Sequence, residues 1–128
     1  MTGGAAGRIL VVDDDNAIRE TLRAILEDEG YRVAVAVNGR EALEVLERIG
    51  PPDLCIVDLV MPVMNGWELC AELARRPALA PVPVLLVSAN SEMEAAPGGL
   101  ETVHVMRKPI SFDRLLEYVE RYCAGRST

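Results

Sequence analysis

Lysine is almost missing from this chain of 128 residues: of thirteen basic residues, twelve are arginine and one is Lys108. Base composition alone can produce such a bias. Against that background a solitary lysine marks a place where a compact point charge suits and a planar guanidinium does not; an ordinary surface position is the alternative. Basic charge is short overall. The net charge of −7 argues against direct nucleic-acid binding, which needs basic surface to displace counterions from phosphates. No apolar run approaches the roughly 20 residues of a membrane-spanning helix, so no membrane role is expected. The start, Met1 to Gly7, lacks the basic and apolar regions of a signal peptide. Residues 1–7 and 125–128 are expected to be flexible tails. Cys55, Cys70 and Cys123 are odd in number with no C-x-x-C pair, and two lie within apolar patterns. This is the usage of small core residues in a reducing, cytoplasmic compartment. The only histidine, His104, has no partner His or Cys at metal spacing and is expected on an edge strand rather than as a ligand.

Half of the residues are hydrophobic, and the length suits one domain with a single well-buried core, expected over residues 8–124. Strand-like and helix-like patterns alternate, which is the pattern of α/β architecture with a parallel sheet. The first strand is expected from Arg8 to Asp13. A helix follows with Ile18, Leu22, Ile25 and Leu26 on one face and Gly30 at its end, and Asp15 reads as its N-cap. The second strand is Arg32 to Ala36. Asn38 and Glu41 form a capping pair for a helix through Arg48 that buries Ala42, Leu43 and Leu46. Pro51-Pro52 precede a strand from Leu54 to Asp58. A third helix starts near Gly66, stops before Pro77 and buries Leu69, Cys70 and Leu73. Pro83 places the start of the fourth strand at Val84. Between Ala89 and Glu101 the run Ala96-Pro97-Gly98-Gly99 limits any helix to a turn or two. A fifth strand covers Thr102 to Arg107, and Ser111 caps a final helix carrying Leu115, Leu116, Val119 and Tyr122.

Strands one, three and four are continuous apolar runs, as expected when helices cover both faces. Strands two and five are mixed and belong at the edges. Right-handed crossovers then give the order 2-1-3-4-5, a doubly wound, three-layer sheet whose switch point lies between strands one and three. Asp13 and Asp14 follow strand one, Asp58 ends strand three, Ser88 ends strand four and Lys108 follows strand five, so all five converge on one crevice. Three carboxylates packed together repel, and one takes up a proton unless a cation neutralises them. Mg²⁺ prefers oxygen ligands and keeps waters that phosphate oxygens can replace. A carboxylate held there is also a nucleophile able to form an aspartyl-phosphate.

The motifs Val11-Val12-Asp13-Asp14, Asp58-Leu59-Val60-Met61-Pro62 through Asn65-Gly66, Val87-Ser88-Ala89 and Lys108-Pro109 together resemble the receiver domain of bacterial response regulators, the CheY-like family, over Arg8 to Cys123. The resemblance implies the flavodoxin-like fold, with Asp58 as phosphoacceptor. It implies that Asp13, Asp14 and Asp58 hold Mg²⁺ with the backbone carbonyl of Val60. Ser88 donates its hydroxyl to the phosphoryl group, Lys108 pairs with one of its oxygens, and the Lys108-Pro109 bond is cis. The implied partner is a sensor histidine kinase or a histidine phosphotransfer protein, with output through an unidentified protein. The implied role is a signalling one rather than that of an enzyme, beyond phosphoryl transfer to and from itself.

Two departures stand out. Val105 occupies the position, three residues before the lysine, where the family carries an aromatic residue or histidine, and His104 beside it points to the opposite face. The segment between Ser88 and Lys108 is short, and the response is expected in the loop 89–100. Trp67 reads as a half-buried packing residue near the site, Asp53 and Glu92 as solvated acids. The chain ends a few residues beyond the last helix, so it is expected to be either a stand-alone regulator or a fragment of a larger protein. Two other readings stay open. One is a module that keeps the fold and binds partners without phosphorylation. The other is a phosphohydrolase of the haloacid-dehalogenase type, for which Asp13-Asp14-Asp15-Asn16-Ala17 offers a loose D-x-D element while leaving Asp58 idle.

Overall fold

A computed structural model of the chain describes residues 7–88 and 103–124. Five strands, β1 (Arg8–Val12), β2 (Arg32–Ala36), β3 (Leu54–Asp58), β4 (Val84–Ser88) and β5 (Val103–Arg107), form one parallel sheet in the order β2-β1-β3-β4-β5. Among the described residues four helices flank it: α1 (Asn16–Asp28), α2 (Gly39–Ile49), α3 (Gly66–Ala74) and α4 (Phe112–Ala124). The edges are the mixed strands β2 and β5, while β3 and β4 are buried along their whole length. The sheet is thus covered on both faces, as the apolar runs require. The turn expected between Ala89 and Glu101, the loop response assigned to 89–100, and Glu92 all lie outside the described residues.

Alternate side chains of each strand feed two separate cores. Leu10, Val12, Cys55, Val57 and Leu86 pack with α2 and α3 through Ala42, Val45, Leu46, Leu69 and Cys70. Ile9, Val11, Ile56, Leu85 and Val87 pack on the other side with Leu22 and Leu26 of α1 and Leu115 and Val119 of α4. The three cysteines are buried, consistent with small core residues. Burial pushes the Cys55 and Cys70 thiols up to about 12, so they stay protonated and inert.

Local signals place the helices. The Asp15 side chain accepts the Ile18 N–H at 3.1 Å, and that of Asn38 accepts the Glu41 N–H at 2.8 Å while Glu41 accepts the Val37 N–H. Asn65 and Glu68 form a reciprocal capping box at the start of α3, a signal the sequence reading passed over. Gly30, at φ +98°, ends α1 in the left-handed region that glycine enters without penalty. In α2 the buried positions are Gly39, Ala42, Val45 and Leu46, with Leu43 only half-buried. Val45 joins the buried face, and Leu43 packs against the same core while only partly buried. Gly7, expected in the N-terminal tail, is instead buried, and its carbonyl accepts the Arg32 N–H at 3.1 Å. A Cβ there would come within 2.5 Å of Asp53 Oδ2. Among the described residues no helix is long and apolar enough to cross a membrane.

Candidate functional site

The parallel register sets the site. Val12 pairs with Val57, Asp58 with Val87 and Ser88 with Arg107, so the carboxyl ends of four strands finish nearly level. Asp13 continues the ladder through its N–H to the Ala36 carbonyl at 3.1 Å. The Lys108 N–H bonds the Ser88 carbonyl at 2.8 Å, which ties the lysine to the end of β4. Asp13, Asp14 and Asp58 each bring one carboxylate oxygen to within 4.8 Å of the others. Lys108 Nζ lies 3.2 Å from Asp58 Oδ1. Asp13, Asp58 and Ser88 are buried and Asp14 is exposed, so the group opens to solvent on one side. Asp13, Asp14, Asp58 and Lys108 are thus brought together, Ser88 lies buried at the end of β4, and the Lys108-Pro109 bond is cis.

Burial is the first cause that raises the Asp58 carboxyl above its ordinary 3.8; the Lys108 ammonium opposes it, and the Val60 backbone N–H also favours the charged form. Burial likewise raises Asp13, with the Asp58 and Asp14 charges adding to it and the Asp15 N–H and Lys108 opposing. Three acids and one ammonium leave a charge of two minus. That is the donor set of a hard divalent cation, and these residues fit Mg²⁺.

The loop after β3 is shaped around Asp58. The Gly66 N–H bonds the Leu59 carbonyl at 2.8 Å, and a Cβ at Gly66 would meet the Asp58 carbonyl at 3.1 Å and Leu59 Cα at 2.9 Å. Only glycine lets α3 start this close to the strand end. Val63 is in the left-handed region at φ 71°, closed by the Met64 N–H to the Pro62 carbonyl at 2.7 Å. This is the strained form of the γ-turn. Val63 and Val60 are both about 70% exposed (71% and 69%) and flank the opening. Beside Lys108 an apolar groove of about 360 Å³ runs between α1 and the start of α4, lined by Ile18, Thr21, Pro109 and Phe112 among others.

Sequence reasoning missed Arg19. It is buried beside Leu22 on α1, and its Nη1 donates to the Asp13 carbonyl at 2.9 Å. The only advance signal is its place on the buried stripe, three residues before Leu22. His104 was expected as an edge-strand surface residue; it is half-buried, with its ring against Tyr118 and Tyr122 of α4 and its Nε2 in a hydrogen bond with the Tyr122 hydroxyl. Val105 packs on the opposite face with the α2–α3 core, as strand alternation requires. Asp53, read as a solvated acid, is half-buried and accepts the Arg8 N–H at 2.9 Å.

A family model for the response regulator receiver domain matches residues 9–120. An uncharacterized 14.6 kDa protein of Leptolyngbya boryana is 38% identical over 90% of this chain and 88% of its own length. The response regulator MprA of Mycolicibacterium vanbaalenii is 38% identical over 85% of the chain, which spans only 47% of that relative. Among solved structures, the signal receiver domain of a signal transduction histidine kinase from Syntrophus aciditrophicus superposes with a TM-score of 0.82 at 37% identity, covering 94% of this chain and 92% of the other. A receiver domain of a sensor histidine kinase from Pseudomonas aeruginosa, solved with magnesium coordinated in its active-site cleft, shares the fold at a TM-score of 0.79 and 23% identity, over 92% of this chain and 98% of the other.

Proposed function

Since this chain belongs to the response regulator receiver family, the signalling receivers of two-component systems, we propose that Asp58 takes a phosphoryl group from a phosphohistidine. The transfer takes place in the cytoplasm, the donor is a sensor histidine kinase or a histidine phosphotransfer protein, and the result is a changed affinity for a protein partner. The observation that carries the reading is the convergence of Asp13, Asp14 and Asp58 within 4.8 Å, with Lys108 Nζ 3.2 Å from Asp58. A structural ion pair needs one carboxylate for one ammonium. Three for one is an arrangement for binding something else.

In this reading an Asp58 carboxylate oxygen attacks the phosphorus and the phosphorus–nitrogen bond of the donor breaks. The electron pair leaves with the imidazole nitrogen, and the product is an acyl phosphate on Asp58. Asp13, Asp14 and Asp58, with the Val60 carbonyl, hold Mg²⁺, which when bound offsets carboxylate charge and polarises phosphoryl oxygens. Lys108, held to β4 through its own N–H, pairs with a phosphoryl oxygen after transfer, and the Ser88 hydroxyl donates to another. The donor protein approaches over the opening flanked by Val60, Val63 and the groove beside Lys108.

Intact mass after incubation with acetyl phosphate and Mg²⁺ tests the proposal: one phosphoryl group on the wild type and none on Asp58→Asn. Labelling at Asp13 would point to phosphohydrolase chemistry. A folded wild type that takes up nothing would favour the phosphorylation-independent binding module.

A further inference from the structure

We infer that Arg19 is a positioning residue of the acidic site: it fixes the peptide between Asp13 and Asp14 and thereby sets how the two carboxylates meet a divalent cation. The inference rests on the metal site proposed above. Arg19 is only 9% exposed, and a guanidinium stays charged at every accessible pH. Burying it is costly unless its donors are met. Nη1 donates to the Asp13 main-chain carbonyl at 2.9 Å, and Nη2 donates to the Asn16 side-chain oxygen. Both acceptors are neutral. The residue therefore grips a backbone carbonyl rather than closing an ion pair.

The position of that carbonyl is what matters. The Asp13 N–H is held by Ala36, its Oδ1 accepts the Asp15 N–H at 2.8 Å, and the Asp15 side chain in turn caps α1 at Ile18. Arg19 closes the remaining polar group of Asp13, and its own N–H bonds the Asp15 carbonyl at 2.9 Å. Asp14 is exposed, so the orientation of its side chain depends on the peptide that precedes it. A charge-assisted bond to that carbonyl resists rotation more than a neutral one would. Mg²⁺ demands near-octahedral geometry with short metal–oxygen distances, so a modest swing of Asp14 weakens binding. Lysine cannot replace the fork, because the two acceptors belong to residues three apart and call for a planar, two-pronged donor.

The test compares wild type, Arg19→Met, Arg19→Lys and Asn16→Ala as full chains. Mg²⁺ affinity is measured by calorimetric titration, and metal-free thermal midpoints are recorded alongside. Arg19→Met is expected to bind Mg²⁺ about tenfold more weakly, the usual scale for loss of an outer-shell partner. Arg19→Lys should stay nearer to Arg19→Met than to wild type, and Asn16→Ala should show a smaller loss in the same direction. Should Arg19→Met fail to fold, the lysine and Asn16 variants decide. Folded variants with lowered midpoints and wild-type Mg²⁺ affinity would reduce Arg19 to a structural role and overturn the inference, as would full rescue by lysine. A wild type that shows no Mg²⁺ response would instead overturn the metal-site reading, and this inference with it.

Discussion

The two ends of the sheet treat charge in opposite ways. At the amino ends of the strands, the Asp53 carboxylate accepts the Arg8 N–H, the Arg8 guanidinium bonds the Ile49 carbonyl, and Arg32 bonds the Gly7 carbonyl through its N–H. The Asp53 carboxylate and the Arg8 guanidinium each meet a group brought from a distant part of the chain, and a side chain at Gly7 would press on the Asp53 carboxylate. At the carboxyl ends, three carboxylates face one ammonium across a solvent-open crevice, and a strained valine sits at its rim. One end is closed by its own residues. The other keeps an excess of negative charge, which the proposed Mg²⁺ would offset.

The largest test of this contrast is a pair of substitutions. Asp14→Ala is expected to abolish Mg²⁺ binding and phosphoryl uptake while leaving the metal-free thermal midpoint unchanged or raised, since like charge is removed. Calorimetric titration, intact mass and thermal melts read all three. Asp53→Ala should do the reverse. It leaves the Arg8 N–H without its carboxylate and costs about 1–3 kcal/mol in denaturant unfolding, with phosphoryl uptake intact. A large fall in metal-free stability in Asp14→Ala would break the comparison.

A smaller effect is expected from pH. Burial raises Asp13 and Asp58 above 3.8 in the folded protein. Their contribution to stability is therefore fully present below 3.8 and is lost as pH rises through the raised values. Mg²⁺ needs the ionised carboxylates, so its stabilising effect should run the other way. The shift in thermal midpoint on adding Mg²⁺ should be absent below 3.8 and should grow through the same window. A shift independent of pH would place the ion elsewhere.

The contrast also explains what the sequence could reveal. The meeting of Asp13, Asp14, Asp58 and Lys108 was legible because each lies at or just past the end of a short apolar run, and a parallel sheet brings such ends together whatever else the chain does. Asp53 was not, because its partner Arg8 is 45 positions away and nothing local separates a half-buried acid from a solvated one. Arg19 was hidden for a related reason: periodicity places it on the buried stripe of α1, but charge alone argues for the surface. Val45 is more deeply buried than Leu43 because the depth to which each position sinks depends on the rotation of the helix against the sheet, which a run of neighbouring apolar candidates does not fix. His104 was legible in direction but not in burial, since the tyrosines that cover it arrive from α4.

The smallest predicted effect concerns the rim. Val63 is exposed and centres the strained γ-turn, a backbone conformation of the kind that costs about 1–3 kcal/mol. Val63→Gly, which enters that turn with no Cβ to clash, should recover up to about 1 kcal/mol in denaturant unfolding, with Mg²⁺ affinity unchanged. A loss of stability would mean that Val63 is held there by packing rather than tolerated.

The sheet that carries the site is also a partition. Because alternate side chains of β1, β3 and β4 serve different helix pairs, the molecule has two half-cores with a common wall and few common tenants. Substitutions confined to opposite halves, such as one at Leu46 and one at Leu115, are expected to act additively. Each half can then drift in sequence at its own pace, as long as the wall between them keeps its register.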